Sequence, residues 1–214
     1  METYINQLRE LIEPYFKLDN TGHDMHHLER VHQLALKIQE KEGGDRLVIG
    51  VAAFMHDFHR LMQLESGRYH HPRESLPKIR EFLKKVGCPS EEQILHCIEH
   101  HEEYRFTKTG LSTGDKESLI VQDADNLDAI GAIGIARTFY YSGANKVPMS
   151  LPITELLPYE ECANDASTIH HIKRKLLKLK DHMNTETGKK LAEIRHQRLK
   201  HFLAEFQEEW ESKM

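Results

Sequence analysis

Cysteine is scarce in this chain. Cys88, Cys97 and Cys162 are odd in number and form no Cys-x-x-Cys pair, so neither a disulfide framework nor a thiolate zinc ribbon is expected. Long apolar runs are missing as well. The longest, Leu47 to Met55, falls far short of the roughly 20 residues that a membrane-spanning helix needs. No secretory leader pattern opens the chain, and the expectation is a cytoplasmic protein. Strand-like alternation, internal repeats and linker-like tracts are nearly absent. The net charge of −5 argues against a general nucleic-acid binder. Charge is uneven, however. From His170 to Lys200 basic residues outnumber Asp181, Glu186 and Glu193, which reads either as a solvated helix face or as a surface for phosphate.

What is present is helical periodicity and histidine. Tyr4, Leu8, Leu11, Ile12 and Tyr15 repeat at helical spacing, as do His27, Val31, Leu34 and Ile38 behind a capping Asp24. Asp45 can cap a helix from about Arg46 to Phe58 that is apolar nearly all round and therefore central. Further helices are expected from Pro72 to about Gly87, after Pro89-Ser90, and from about Lys116 to Tyr141 in one piece. Residues 143–166, with Pro148, Pro152 and Pro158, read as an extended excursion. Helices at about 168–182 and 186–211 close the chain. The expectation is one all-α domain over 1–214, with a core at about 22–140 and closing helices at about 168–211.

The 16 histidines need a chemical explanation. His56-Asp57 follows the apolar run, and a carboxylate carried inward costs several kcal/mol unless it is paired. His27 lies on the inward stripe of its helix. Asp125 sits beside Leu127 and Ile130, and Asp128 follows on the same face. Each has a bland reading: a satisfied core imidazole, or a solvated or capping acid. Together they offer nitrogen and oxygen ligands from three helices, as metal sites in bundle cores do. The long spacings exclude a zinc-finger knuckle. The earlier pair His23-Asp24 stands at a helix start and reads as capping.

The order of His27 in His-Leu-Glu-Arg-Val, the doublet His56-Asp57, and Asp125 in Ala-Asp-Asn-Leu-Asp resembles the HD-domain superfamily of metal-dependent phosphohydrolases, over about residues 22–140. Members similar to this chain are small stand-alone bacterial proteins, and some split nucleoside triphosphates. The resemblance implies an HD-type helical bundle with a divalent ion held by His27, His56, Asp57 and Asp125. An imidazole and carboxylate set without thiolate suits Mn²⁺, Co²⁺, Ni²⁺, Fe²⁺ or Mg²⁺. His71 and His101 fall where the cyclic-dinucleotide phosphodiesterase branch places ligands for further metals, so a second metal stays open. The alternative is that both line the pocket and bind phosphate or water. That branch's Gly-Tyr-Pro signature is absent, with Tyr104-Arg105-Phe106 standing nearby instead.

Hydrolysis by a metal-activated water needs flanking cations. Arg30, three residues after His27, is the first candidate for catalysis and phosphate binding, and Arg137 a further one. Lys175 is the second candidate for catalysis and phosphate binding, sharing a helix face with His171 as a further substrate contact, an arrangement similar to a recurring feature of the stand-alone members. Asp57 is expected to act in catalysis, and Asp128 or His59 to carry a proton. The expected partner is a small phosphorylated substrate, a nucleotide foremost, with no membrane. A homodimer through Phe202, Phe206 and Trp210 stays open. Two rivals are carried: a di-iron oxygenase of the HD fold, and a non-catalytic nucleotide-binding regulatory module.

Overall fold

Every residue from Val48 to Met55 is buried, and the architecture is arranged around them. The computed structural model describes residues 1–17, 19–102, 115–152 and 165–212. Among them there are ten α-helices, one 3-10 helix and no strand. The central helix, α3 (Arg46–Met55), starts where the Asp45 carboxylate accepts hydrogen bonds from Leu47 N and Val48 N at 2.8 and 3.1 Å. Around it pack α2 (Met25–Glu42), α6 (Glu91–His100) and α7 (Lys116–Asp128). Each large aliphatic or aromatic side chain buried here contributes about 1.5–3 kcal/mol. The surrounding shell therefore stabilises a helix that would be insoluble alone.

Other helices complete the shell. α1 (Glu2–Phe16) buries Ile5, Leu8, Ile12 and Phe16, so of the expected stripe Leu8 and Ile12 face the core, Tyr4 and Leu11 are half-buried and Tyr15 is exposed. α4 (Phe58–Ser66) leads into α5 (Pro72–Lys85), and α9 (Thr168–Arg174) runs into the 3-10 turn Leu176–His182. The last helix, α10 (Glu186–Trp210), packs on α2, α7 and α8 (Gly131–Ala144). Among the described residues, no helix is long and apolar enough to cross a membrane.

Two expectations are corrected. The central helix stops at Met55 rather than Phe58, so His56-Asp57 occupies the turn into α4. The single helix expected over 116–141 is two. Ile130 is extended and Gly131 has φ +79°, a left-handed conformation that glycine adopts without penalty. Space reinforces the need: a Cβ on Gly131 would lie 3.1 Å from Cβ and Cγ of Arg195. This break swings α8 back over the start of α2, so that Arg137 Nε donates to Gly22 O at 2.8 Å.

Asp123 does a structural job that the acidic tract hides. It accepts hydrogen bonds from the backbone nitrogens of Asn184 and Thr185, both at 2.8 Å, and from their side chains at 2.9 and 2.7 Å. This carboxylate ties the start of α10 to α7. Gly188 permits the approach, since a Cβ there would lie 2.3 Å from Asp123 Oδ2. Tyr104-Arg105-Phe106, the segment 107–114, Pro158, Cys162 and most of the proline-rich excursion lie outside the described residues.

Candidate metal centre

Three elements bring His27, His56, Asp57 and Asp125 together. Asp24 caps α2 by accepting from His27 N at 2.9 Å, which sets the first turn and sends the His27 ring inward. The ring is fully buried. Its Nε2 lies 3.1 Å from Asp57 Oδ2 and 3.6 Å from Asp125 Oδ1. The His56 Nε2 lies 3.6 Å from Asp57 Oδ1 and 3.7 Å from Asp125 Oδ1.

The far side of each ring fixes its tautomer. His56 Nδ1 donates to Ala53 O at 2.8 Å, and His27 Nδ1 donates to Asp128 Oδ2 at the same distance. In the neutral imidazoles, the form that binds a metal, both Nε2 atoms therefore turn their lone pairs toward the carboxylates. Both are buried and neither has a hydrogen-bond partner. An orphaned buried acceptor costs about 1–3 kcal/mol, and here two face the same point. The His27 and His56 nitrogens with Asp125 are a donor set for a divalent cation, and Asp57 borders it, offering one oxygen to His27 and the other to His56.

Electrostatics agree with a site that awaits positive charge. Burial alone would depress the His56 imidazole, but the Asp57 and Asp125 carboxylates outweigh it and lift His56 to about 9. Burial would likewise raise Asp57 and Asp125. Nearby imidazoles, His23 and His56 for Asp57 and His56 and His27 for Asp125, hold both carboxyls well below the usual range.

Asp128 stands behind His27 as an anchor. It is 1% exposed and, besides His27 Nδ1, accepts from Arg30 Nε at 2.8 Å, Arg30 Nη2 at 3.0 Å and Arg137 Nη1 at 3.1 Å. Burial opposes its ionisation, yet His27 and the two guanidiniums hold its carboxyl well below the usual range. Metal-binding histidines are commonly oriented by such a carboxylate. Asp128, expected as a proton carrier, has its lone pairs engaged here.

His23 is the residue that the sequence reading missed. Asp24 caps, as expected, but His23 does not. Its Nδ1 lies 2.5 Å from Asp57 Oδ2, and burial, against the pull of Asp57, brings the imidazole down to about 4. Its spacing of four from His27 is the signal that could have found it.

A second group lies beside the first. His101 Nδ1 donates to Ile98 O at 2.6 Å, leaving Nε2 buried without a partner. Burial and the neighbouring His56 lower this imidazole to about 4. His59 is fully buried with neither ring nitrogen hydrogen-bonded, and its Nε2 lies 3.3 Å from Glu102 Oε2. Arg60 pairs with the other Glu102 oxygen. His59, His101 and Glu102 could hold an ion, and so could His56, Asp57 and His101.

The remaining candidates fall elsewhere. His71 is exposed and caps α5, accepting from Arg73 N at 3.2 Å. His171 Nδ1 pairs with Asp165 Oδ2 at 2.6 Å, an oxygen pair that Arg174 also holds, and Lys175 caps the end of α9. None of these three enters a group able to hold a metal among the described residues.

A model of the HD domain matches residues 25–130. A Bacillus thuringiensis protein described as an HD-superfamily hydrolase is 34% identical, with 99% of this chain and 97% of that one covered at a TM-score of 0.68. The chain belongs to the HD-domain superfamily. A Lactobacillus plantarum structure is 30% identical with a TM-score of 0.80, covering 100% of this chain and 99% of its own. The YpgQ protein of Bacillus subtilis is 32% identical over 208 residues, 95% of this chain and 92% of that protein. YpgQ has been solved in complex with ADP, and that structure superposes with a TM-score of 0.70 at 31% identity, with 96% and 97% covered. Inside the matched span, His27, His56 and Asp125 form one group that could hold an ion, and Asp57 joins His23 and His27 in a second and His56 and His101 in a third.

Proposed function

We propose that this HD protein is a metal-dependent phosphohydrolase that acts on a nucleotide, splitting a nucleoside triphosphate between its phosphates. The observation that carries the reading is the pair of buried, unpartnered Nε2 atoms of His27 and His56 facing Asp57 and Asp125. A divalent ion bound there supplies an acidified water and withdraws charge from phosphoryl oxygens. The chain's residues do the rest. Asp128 fixes the His27 tautomer. Arg30 and Arg137 both bond Asp128 and are proposed as the cations that meet phosphate at this edge of the site. His171 on α9 and Lys175 at its C-terminal cap are proposed as outer phosphate contacts, His101 as a lining group, and His71 as at most a peripheral one. The ADP complex of YpgQ supports a nucleotide as substrate.

The test is a panel of nucleotides and sugar phosphates, assayed with Mn²⁺, Co²⁺, Ni²⁺ and Mg²⁺ while orthophosphate and pyrophosphate are measured separately. Metal-dependent pyrophosphate release is expected. Binding without turnover across the panel would instead favour the regulatory-module reading. A second ion fits at His59, His101 and Glu102, favoured by three unpartnered ring nitrogens there. Two irons per chain, with oxygen uptake and no phosphate release, would favour the oxygenase.

A further inference from the structure

Beyond the metal group, α8 presents a feature that phosphate chemistry leaves unexplained. Arg137 and Tyr141 are one turn apart and share a face of α8. Arg137 reaches Asp128, whereas Tyr141 remains 39% exposed at the rim. Among the described residues its ring contact is with His23, at 6.5 Å between centroids and 80° between planes. His23 in turn touches Asp57, so the Tyr141 ring is linked to the metal group through a single imidazole. His23 Nε2 has no protein hydrogen bond among the described residues. Scattered exposed tyrosines are ordinary, and Tyr140, 54% exposed with no ring contact among the described residues, is such a case. Tyr141 differs because its half-exposed ring meets an imidazole that reaches Asp57, and it shares a helix face with Arg137.

We propose that Tyr141 and His23 form the nucleobase subsite of this HD protein, the tyrosine ring as the stacking floor and the imidazole as the perpendicular wall. This rests on the nucleotide reading above. With phosphate at the Arg30 and Arg137 edge, the base lies farther along α8, over Tyr141. Stacking on one aromatic ring is tolerant of base identity, because every base has a π-face. The subsite therefore separates nucleotides from bare phosphate chains more than it separates one base from another. His23 Nε2 offers one polar contact to a base edge or ribose.

Calorimetry in Mn²⁺ tests it, comparing ADP with inorganic pyrophosphate as ligands of wild type, Tyr141→Ala, Tyr141→Phe and Tyr140→Ala. Tyr141→Ala is expected to weaken ADP about tenfold, the loss of one base–aromatic stack, while pyrophosphate is unchanged. Tyr141→Phe should restore ADP, and Tyr140→Ala should behave as wild type. Equal ADP affinity in wild type and Tyr141→Ala overturns the subsite, as does equal weakening of both ligands. Because the readout is binding, a protein that binds ADP through Tyr141 without turning over any phosphate supports the subsite and overturns only the hydrolase reading. A wild type that binds neither ligand overturns both.

Discussion

Replacing Asp128 by asparagine isolates the anchor behind the metal group. The carboxylate is 1% exposed and accepts four hydrogen bonds, from His27 Nδ1, twice from Arg30 and once from Arg137. Asparagine retains the shape but turns one oxygen into an NH₂ that faces donors. It also removes the charge shared by two guanidiniums. Breaking a fully buried pair costs about 3–5 kcal/mol. The side chain of Arg30 is 33% exposed and that of Arg137 15%, so both can rehydrate and the cost falls to roughly 2–3 kcal/mol by the same reasoning. His27 loses its fixed tautomer, and loss of such an outer-shell partner typically weakens metal about 10–100-fold. Denaturant unfolding gives the first quantity and Mn²⁺ titration the second. A variant that folds with wild-type stability and binds Mn²⁺ within a factor of about two would refute the anchoring role.

Other perturbations follow from the same geometry. In the metal-free protein His56, raised from 6.5 to about 9, is protonated near neutral pH, so binding an ion should release about one proton, measurable by calorimetry in buffers of different ionisation enthalpy. The stability that this raised value contributes is full below pH 6.5 and lost as pH climbs through about 9, so metal-free protein should weaken over that window in unfolding experiments. Gly131→Ala forces a side chain into φ +79° against Arg195 and should cost about 1–2 kcal/mol, checked by denaturation midpoint. Lys175→Ala should raise KM for a nucleotide with bound metal unchanged; unaltered kinetics would make the closing basic segment a solvated face.

Much of this was legible because burial leaves marks in sequence. The apolar run before His56 announced a central helix, and an acid at its end implied a partner. The inward stripe of α2 placed His27, and the pair Asp125 and Asp128 shared a face of α7. What stayed hidden depends on distance or on backbone. Gly131 looked like one of several small residues in a long helix, since nothing local shows that Arg195 comes to rest against it. Asp123 looked like part of an acidic helix, although its partners lie at Asn184 and Thr185. In His23-Asp24 the two residues split their roles, one capping α2 and one reaching Asp57, which spacing from the cap alone does not reveal. His71 is ambiguous for another reason. A histidine before Pro72 can cap a helix as readily as it can bind a ligand, and here it caps.

Anomalous diffraction from crystals grown with Mn²⁺ tests the central claim most directly. A peak about 2.0–2.3 Å from His27 Nε2, His56 Nε2, Asp57 and Asp125 is predicted. A fully loaded crystal with its peak elsewhere, and none among these four side chains, would contradict it.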